Sequence, residues 1–477
     1  MGMCRQFLFA AQPHTIKLTI QERRNTMAIK CAFISLGCPK NQVDSEVMLS
    51  KLNAAGIEIV EEDIHADVVV INTCAFIESA KKEAIETILD VAWLKKNRDL
   101  KGIVVTGCLA QRYKEELFAE LPEVDAAIGV GDLDSIVDAV KAAYKAGTEP
   151  DSGAPKYCRI TKAENQTLGG DRVVSTPEYS VYLKISEGCD KHCTYCIIPS
   201  LRGKFHSRPV EELVKEASEL ADLGARELIV ISQDTVNYGN DLYGKPSLGK
   251  LLKELCKIEK LKWIRVLYCY PEDMTEELAD IFANEPKIVK YIDLPIQHIS
   301  DKVLKLMGRH GGSALVKEKI KMLRERIPGL VLRSTVIVGF PGEGKEEFAE
   351  LAEFLKQVKF ERLGVFAFSC EEGTPAAKLT EGIVSEKTKQ KRLDTLMRNQ
   401  FEIHEANNKK QIGKTLEVLC EGFDRPSGVY YGRSAYDAPE IDGKVYFHST
   451  RKIGEGEFVN VKITEAIDYD LLGDAVL

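Results

Sequence analysis

Thirteen cysteines are spread over these 477 residues, and six of them stand where thiol chemistry could be organised. Three lie in Gly188-Cys189-Asp190-Lys191-His192-Cys193-Thr194-Tyr195-Cys196, a C-x3-C-x2-C array. Three thiolates at this spacing can each take one iron of a 4Fe-4S cluster and leave the fourth iron open. An open position is what metal chemistry needs and what a closed structural site lacks. A structural zinc would want a fourth ligand, and only His192 is near, wedged between two of the thiols.

Cys38, Cys74 and Cys108 are far apart in sequence but share one context. They end the words Ser-Leu-Gly-Cys38, Ile-Asn-Thr-Cys74 and Val-Thr-Gly-Cys108, each after a strand-like run and before a helical one. In a parallel sheet the carboxyl ends of the strands share one edge, so these thiols should meet there and could hold a second 4Fe-4S cluster with one free iron. Small cysteines also fill strand ends as ordinary core residues. Repetition of the same placement in three successive units argues against that reading. The other seven, Cys4, Cys31, Cys158, Cys256, Cys269, Cys370 and Cys420, show no pattern and read as core or incidental thiols.

The elements that must position these thiols follow from hydropathy. Strand-like runs at 31–36, 67–72, 102–106 and 125–130 alternate with helical stretches such as 43–53 and 79–89, which predicts an open parallel α/β sheet over 28–146. Residues 147–178 are polar and rich in Gly, Pro, Ser and Thr, and read as a linker. A second alternation spans 179–405, with strands expected at 181–185, 227–231, 264–268, 291–294, 331–338 and 363–368. Six strand–helix units predict a full or partial parallel barrel, a partial (β/α)6 form, with its active site at the carboxyl ends of the strands. A charged helix over 385–410 leads to alternating strands with Gly-containing turns, a small all-β module over 408–477. Residues 1–27 precede the first clean strand pattern and read as an extension outside the fold.

Composition bounds the class. With 44% hydrophobic and 29% charged residues the chain is an ordinary globular one, and no apolar run approaches a membrane span. Many thiols without an export signal point to ligands in a reducing compartment, the cytoplasm, rather than to disulfides. A formal charge of −8 suits a basic partner better than a phosphate backbone.

The C-x3-C-x2-C array resembles the signature of the radical S-adenosylmethionine superfamily, in which the open iron chelates the cofactor. The stretch from about 28 to 477 resembles the methylthiotransferase family, whose order is an N-terminal cluster domain, a radical domain and a small barrel called TRAM. Its words Leu36-Gly-Cys-Pro-Lys-Asn-Gln-Val-Asp-Ser-Glu46, Cys196-Ile-Ile-Pro-Ser-Leu-Arg-Gly203 and Gly432-Arg-Ser-Ala-Tyr-Asp-Ala-Pro-Glu-Ile-Asp-Gly443 are similar to the branch that modifies a ribosomal-protein aspartate. The tRNA-adenosine branch, the rival reading, usually has Gln-Met where Pro39 and Lys40 stand. The resemblance implies methylthiolation of the β-carbon of one aspartate in the twelfth protein of the small ribosomal subunit. It implies two 4Fe-4S clusters, one S-adenosylmethionine to methylate sulfur and another to make the radical. A sulfur donor and a flavodoxin- or ferredoxin-like electron donor are implied as partners. A non-catalytic cluster carrier is a further rival, and it would have no barrel.

Other site residues are expected on two grounds. Tyr195 matches the family position near the adenine, although a buried tyrosine commonly packs a core. Gln233, Arg333 and Glu343 fall at barrel strand ends, as do Asp234, Tyr268, Gln297 and His298, and some should contact the cofactor. His298 reads as a structural histidine, and the 339–343 turn lacks the lysine of a nucleotide loop. Residues 411–477 carry seven Lys and Arg against twelve Asp and Glu, so Arg433, Asp437, Glu440 and Asp442 are expected to dock a basic substrate; a solvated turn is the plain alternative for the acids.

Overall fold

A computed structural model describes residues 28–153, 155–166 and 168–476, so the expected extension over 1–27 and its Cys4 lie outside the described residues. By contact the chain forms two units: residues up to Pro177 with Ser186–Asp190 and Cys196–Arg208, and Glu178–Ile185 with Lys191–Tyr195 and Pro209–Leu477. Among the described residues no helix is long and apolar enough to cross a membrane.

The first unit is built on a sheet of β1 (Lys30–Ser35), β2 (Glu58–Val60), β3 (Val68–Thr73), β4 (Gly102–Gly107), β5 (Ala126–Ile128) and β6 (Tyr157–Arg159), in the order β2-β1-β3-β4-β5-β6. Every pairing is parallel. Both faces are covered, which is why β3 and β4 are buried at every residue. The period of two divides their side chains: Val69, Ile71, Ile103 and Val105 join one core, Val68, Val70 and Val104 the other. The first core takes Ala84, Ile88 and Val91 from α2 (Glu78–Asn97). The second takes Met48 and Leu52 from α1 (Pro39–Ala54) and Ile136, Ala139, Val140 and Ala143 from α5 (Ile136–Thr148), a helical stripe. Each fully buried aliphatic side chain here stabilises by about 1.5–3 kcal/mol. Two short helices, α3 (Cys108–Tyr113) and α4 (Glu116–Glu120), follow β4.

Two features of this unit differ from expectation. The polar stretch read as a linker supplies β6, because Tyr157, Cys158 and Arg159 pair with Ala126, Ala127 and Ile128. The segment after Ile185 forms a small antiparallel hairpin of β8 (Ser186–Glu187) and β9 (His206–Ser207), with α6 (Ile198–Arg202) between them.

The second unit holds a six-stranded parallel sheet of β7 (Ser180–Lys184), β10 (Glu227–Ile231), β11 (Trp263–Val266), β12 (Ile288–Asp293), β13 (Val331–Val338) and β14 (Arg362–Ala367) in sequential order. This is the expected partial barrel. Its helices are α7 (Val210–Leu223), α8 (Asn240–Tyr243), α9 (Leu248–Cys256), α10 (Glu276–Asn284), α11 (Asp301–Leu306), α12 (Gly312–Arg326) and α13 (Lys345–Val358), and the apolar faces of α7, α9 and α10 are buried. The charged helix is α14 (Glu386–Lys409), begun by the Ser385 hydroxyl accepting from the Thr388 N–H at 3.3 Å. It leads to a closed barrel of β15 (Thr415–Asp424), β16 (Val429–Ser434), β17 (Val445–His448), β18 (Phe458–Ile467) and β19 (Asp470–Ala475), ordered β15-β16-β17-β19-β18. Closure leaves no unpaired strand edge.

Candidate functional site

In the first unit β1, β3 and β4 lie side by side, with Ser35 opposite Asn72 and Thr73 opposite Gly107. Cys38, Cys74 and Cys108 therefore leave neighbouring strand ends on one edge. Gly37 (φ +95°) and Gly107 (φ +88°) make the turns that aim the first and third thiols. A Cβ on Gly37 would stand 2.8 Å from the Cys74 Cβ, and one on Gly107 only 2.5 Å from the Thr73 carbonyl oxygen. Neither side chain fits.

The three thiols feel one another. Burial, reinforced by Cys108 and Cys38, pushes the Cys74 thiol up to about 12, and burial likewise raises Cys108. Without metal Cys74 and Cys108 are neutral thiols; a bound cation is what would ionise them. Among the described residues no three His, Cys, Asp or Glu groups are placed to hold a single ion. Thiolates that take different irons of one cluster need not meet at a point, so the soft, three-thiol donor set fits an iron–sulfur cluster.

Behind this edge runs a buried polar network that hydropathy did not reveal. The Arg202 guanidinium is fully buried and donates to Asp44 at 2.7 Å, Glu187 at 3.1 Å, the Asn41 side-chain oxygen and the Cys108 sulfur at 3.7 Å. Burial opposes its charge, but the Glu187 and Asp44 carboxylates outweigh that and hold its pKa well above the ordinary arginine value. Asn41 donates to the carbonyls of Leu36 (3.1 Å) and Thr73 (2.9 Å), and Asn72 donates to Asn41 O and Ser45 Oγ, both at 2.9 Å. Glu46 holds Arg172 at 2.8 Å and Ser175 Oγ at 2.7 Å. Polar residues at buried positions of α1 were the available signal.

In the C-x3-C-x2-C segment Cys189 and Cys196 belong to the first unit and Cys193 to the second. Gly188 (φ +79°) precedes Cys189, and a Cβ there would run into the Lys204 carbonyl. Cys189 N donates to Gly203 O at 3.3 Å, and Asp190 accepts from Phe205 N at 3.2 Å. His192, the ligand a zinc would need, is exposed.

In the second unit the Cys193 sulfur lies 3.7 Å from the Tyr270 hydroxyl. Thr194 is pinned at both ends, its N–H and hydroxyl donating to Met307 O (2.9 Å) and Leu306 O (2.7 Å), its carbonyl accepting from Ala376 (2.9 Å). Tyr195 packs on an apolar cluster that includes Val303, Met307 and Phe340. Lys191 pairs with Asp273 and lies 3.8 Å from Asp234. Burial, opposed by Lys191 and aided by Asp273 and Glu272, pushes Asp234 up to about 7. Arg309 stacks over Tyr270 at 4.6 Å and pairs with Glu272 at 3.0 Å. His192 in the cysteine loop, and Tyr268 and Gln297 beyond strand ends, are among the non-glycine residues of this unit with positive φ.

The remaining expected residues divide. Gln233 is half-buried at the end of β10, beside Asp234. Arg333 donates to Asp293 at 2.8 Å, and Asp293 accepts from Tyr268 N at 3.0 Å, so this pair shapes the rim. Glu343 is buried, closes its own turn by accepting from Gly339 N, and meets Arg392 at 3.3 Å. These contacts fix the loop that follows β13. His298 accepts from Ser300 N at 3.0 Å through Nδ1, the structural role expected of it.

Arg433, Asp437 and Asp442 require correction: the structure does not offer them to a partner. Arg433 is buried and donates to Glu227 at 2.6 Å and Glu421 at 2.5 Å. Asp437 pairs with Arg362 at 2.5 Å; Asp442 accepts from Tyr291 OH at 2.7 Å. Glu227 opens β10 and Arg362 opens β14, so this turn seals the amino ends of the barrel strands, opposite the catalytic rim. Only Glu440 is exposed.

The two α/β halves, the cysteine edges and the small barrel define a radical S-adenosylmethionine enzyme with an added thiol-bearing sheet. Family models match accordingly: an uncharacterised protein family, UPF0004, over residues 30–129, the Radical SAM superfamily over 183–355 and the TRAM domain over 412–476. A curated relative from Clostridioides difficile (strain 630), named ribosomal protein uS12 methylthiotransferase RimO, is 49% identical over 94% of this chain and 99% of its own. One of the same name from Thermoanaerobacter sp. (strain X514) is 49% identical over 93% of this chain and 99% of its own. The chain belongs to the RimO family of radical S-adenosylmethionine methylthiotransferases. Among solved structures, the radical S-adenosylmethionine methyltransferase TsrM from Kitasatospora setae, with cobalamin and a 4Fe-4S cluster bound, has a TM-score of 0.53. It covers 73% of this chain and 77% of its own at 15% identity, a likeness of fold.

Proposed function

We propose that this chain puts a methylthio group on the β-carbon of an aspartate in ribosomal protein uS12. In this reading Cys189, Cys193 and Cys196 hold the cluster that binds S-adenosylmethionine, and Cys38, Cys74 and Cys108 hold a second one that takes the sulfur. The observation that carries it is the meeting of three thiols at the ends of β1, β3 and β4, beside a buried cation. An enzyme needing only a radical would need one cluster, so a second open one suggests sulfur insertion. When bound, the clusters and S-adenosylmethionine supply the electron, the radical, the methyl group and a seat for sulfur. A radical is needed because that C–H bond is too weakly acidic for a side-chain base.

The chain's own residues bind, orient and shield. Gly37 and Gly107 let two thiols turn onto the sheet edge, and the Asn41–Asn72 bonds hold the strand ends behind them. Lys191, gripped by Asp273, and Thr194, anchored to Leu306 and Met307, fix the loop that carries Cys193. Tyr270 offers its hydroxyl towards that sulfur. Tyr195 and Gln233 line the cofactor side of this loop in the proposal, and the Arg333–Asp293 pair keeps the strand ends in shape.

The net charge of −8 favours a basic ribosomal protein, and the closing barrel's excess of acids disfavours tRNA. A sulfur donor and a flavodoxin- or ferredoxin-like reductant complete the partners, and air-sensitive thiol sites suit the cytoplasm. The test is anaerobic reconstitution with S-adenosylmethionine, reductant, sulfide and a peptide of uS12 containing the aspartate. A mass gain of one methylthio group on that aspartate is expected. Modification of tRNA, with the peptide untouched, would overturn the proposal.

A further inference from the structure

Arg202 is a buried cation with an unusual set of neighbours. One terminal nitrogen of its guanidinium meets two carboxylates, Asp44 at 2.7 Å and Glu187 at 3.1 Å. The other meets the Asn41 oxygen and the Cys108 sulfur, the latter at 3.7 Å. Asn41 in turn grips the carbonyls of Leu36 and Thr73, the residues that lead into Cys38 and Cys74. One side chain therefore touches the third thiol directly and steadies the backbone of the other two. Glu187, which completes its charge balance, lies two residues before Cys189.

Chemistry at the sulfurs makes this placement consequential. A reduced cluster carries one more negative charge than an oxidised one, so a fixed cation at a ligand sulfur favours the reduced form. Hydrogen bonds to the sulfurs and local charge are among the main levers on cluster potential. The buried site has low dielectric, so the effect is little screened by salt. Two carboxylates partly offset the cation, which makes Glu187 and Asp44 opposing controls on the same quantity.

We propose that Arg202 is a positioning residue that raises the reduction potential of the cluster held by Cys38, Cys74 and Cys108, with Glu187 as its counterweight. The inference rests on the two-cluster reading above. The reduced-to-oxidised ratio at fixed poise should fall at least tenfold on removing the cation, about 59 mV for a one-electron couple.

The experiment uses the full chain carrying Cys189→Ala, Cys193→Ala and Cys196→Ala, so that only the first cluster remains. It is reconstituted without oxygen, assayed for iron and sulfide, and titrated with the cluster's paramagnetic signal as readout. Arg202→Gln should lower the potential, Arg202→Lys should restore most of it, and Glu187→Gln should raise it. A residue that served the fold alone would change melting temperature and iron content without this opposed pair of shifts. If Arg202→Gln fails to fold, the upward shift of Glu187→Gln still decides. Normal iron with unmoved potentials in the folded variants overturns the role of Arg202 and leaves the two-cluster reading intact. No iron in the background protein overturns both.

Discussion

At the scale of residues, the thiols are only as well placed as the glycines and amides behind them. Gly107 sits at φ +88° with the Thr73 carbonyl 2.5 Å from where a Cβ would be. Gly107→Ala should therefore cost about 1–3 kcal/mol through strained backbone and shift Cys108 off the sheet edge. The expected result is a lower melting temperature together with less iron bound per chain, read by iron analysis of the reconstituted chain. The placement of Cys38, Cys74 and Cys108 on one sheet edge was legible in the sequence because their strand-end context repeats. The buried network of Asn41, Asp44, Glu46 and Arg202 was not, although these residues lie within the words that carry the family resemblance. A polar residue at a buried helix position looks like a solvated face until its partner is known, and Arg202 lies 158 residues from Asp44.

At the scale of elements, period and punctuation located the strands that carry the site. Glu227–Ile231 and Val331–Val338 coincide with their expected ranges, and the bounds of the other foreseen strands of the two parallel sheets shift by up to three residues. β6 escaped because three residues in a polar stretch carry no apolar alternation, and only pairing with β5 makes them a strand. The acids of the β16–β17 turn were misread for a related reason: sequence shows charge but not the arginines that will face it. Arg433, Arg265 and Glu227 form a buried ion cluster joining the closed barrel to the parallel one. Burial would raise the Glu227 carboxyl, but Arg433 and Arg265 overcome it and hold it near 2 in place of the ordinary 4.5. A carboxyl depressed in this way stabilises the fold above its unfolded value and loses that contribution as pH falls from about 4.5 to 2, some 3 kcal/mol in all. Glu227→Gln should unfold more easily at pH 7, and its deficit against wild type should shrink across that acid window. Denaturant melts of the metal-free chain at several pH values check this. Unchanged stability at pH 7 would contradict the ion cluster's role.

At the scale of the whole molecule, three modules carry one chemistry. A parallel sheet brings three thiols to an edge, a partial barrel carries the radical superfamily's loop on its rim, and a closed barrel seals the other end of the strands. That last placement moves the search for a uS12 dock away from the β16–β17 turn, whose charges are paired within the chain. The central claim is that six thiols hold two separate clusters and that both are needed to move sulfur. Iron and sulfide per chain, measured after anaerobic reconstitution, test it most directly. The comparison is between wild type, the variant with Cys38, Cys74 and Cys108 all changed to Ala, and the variant with Cys189, Cys193 and Cys196 so changed. Each triple variant should keep about half of the wild-type iron, as three-thiolate clusters of one size require, and neither should methylthiolate the peptide. Wild-type iron and an intact reaction in the chain lacking Cys38, Cys74 and Cys108 would contradict the account.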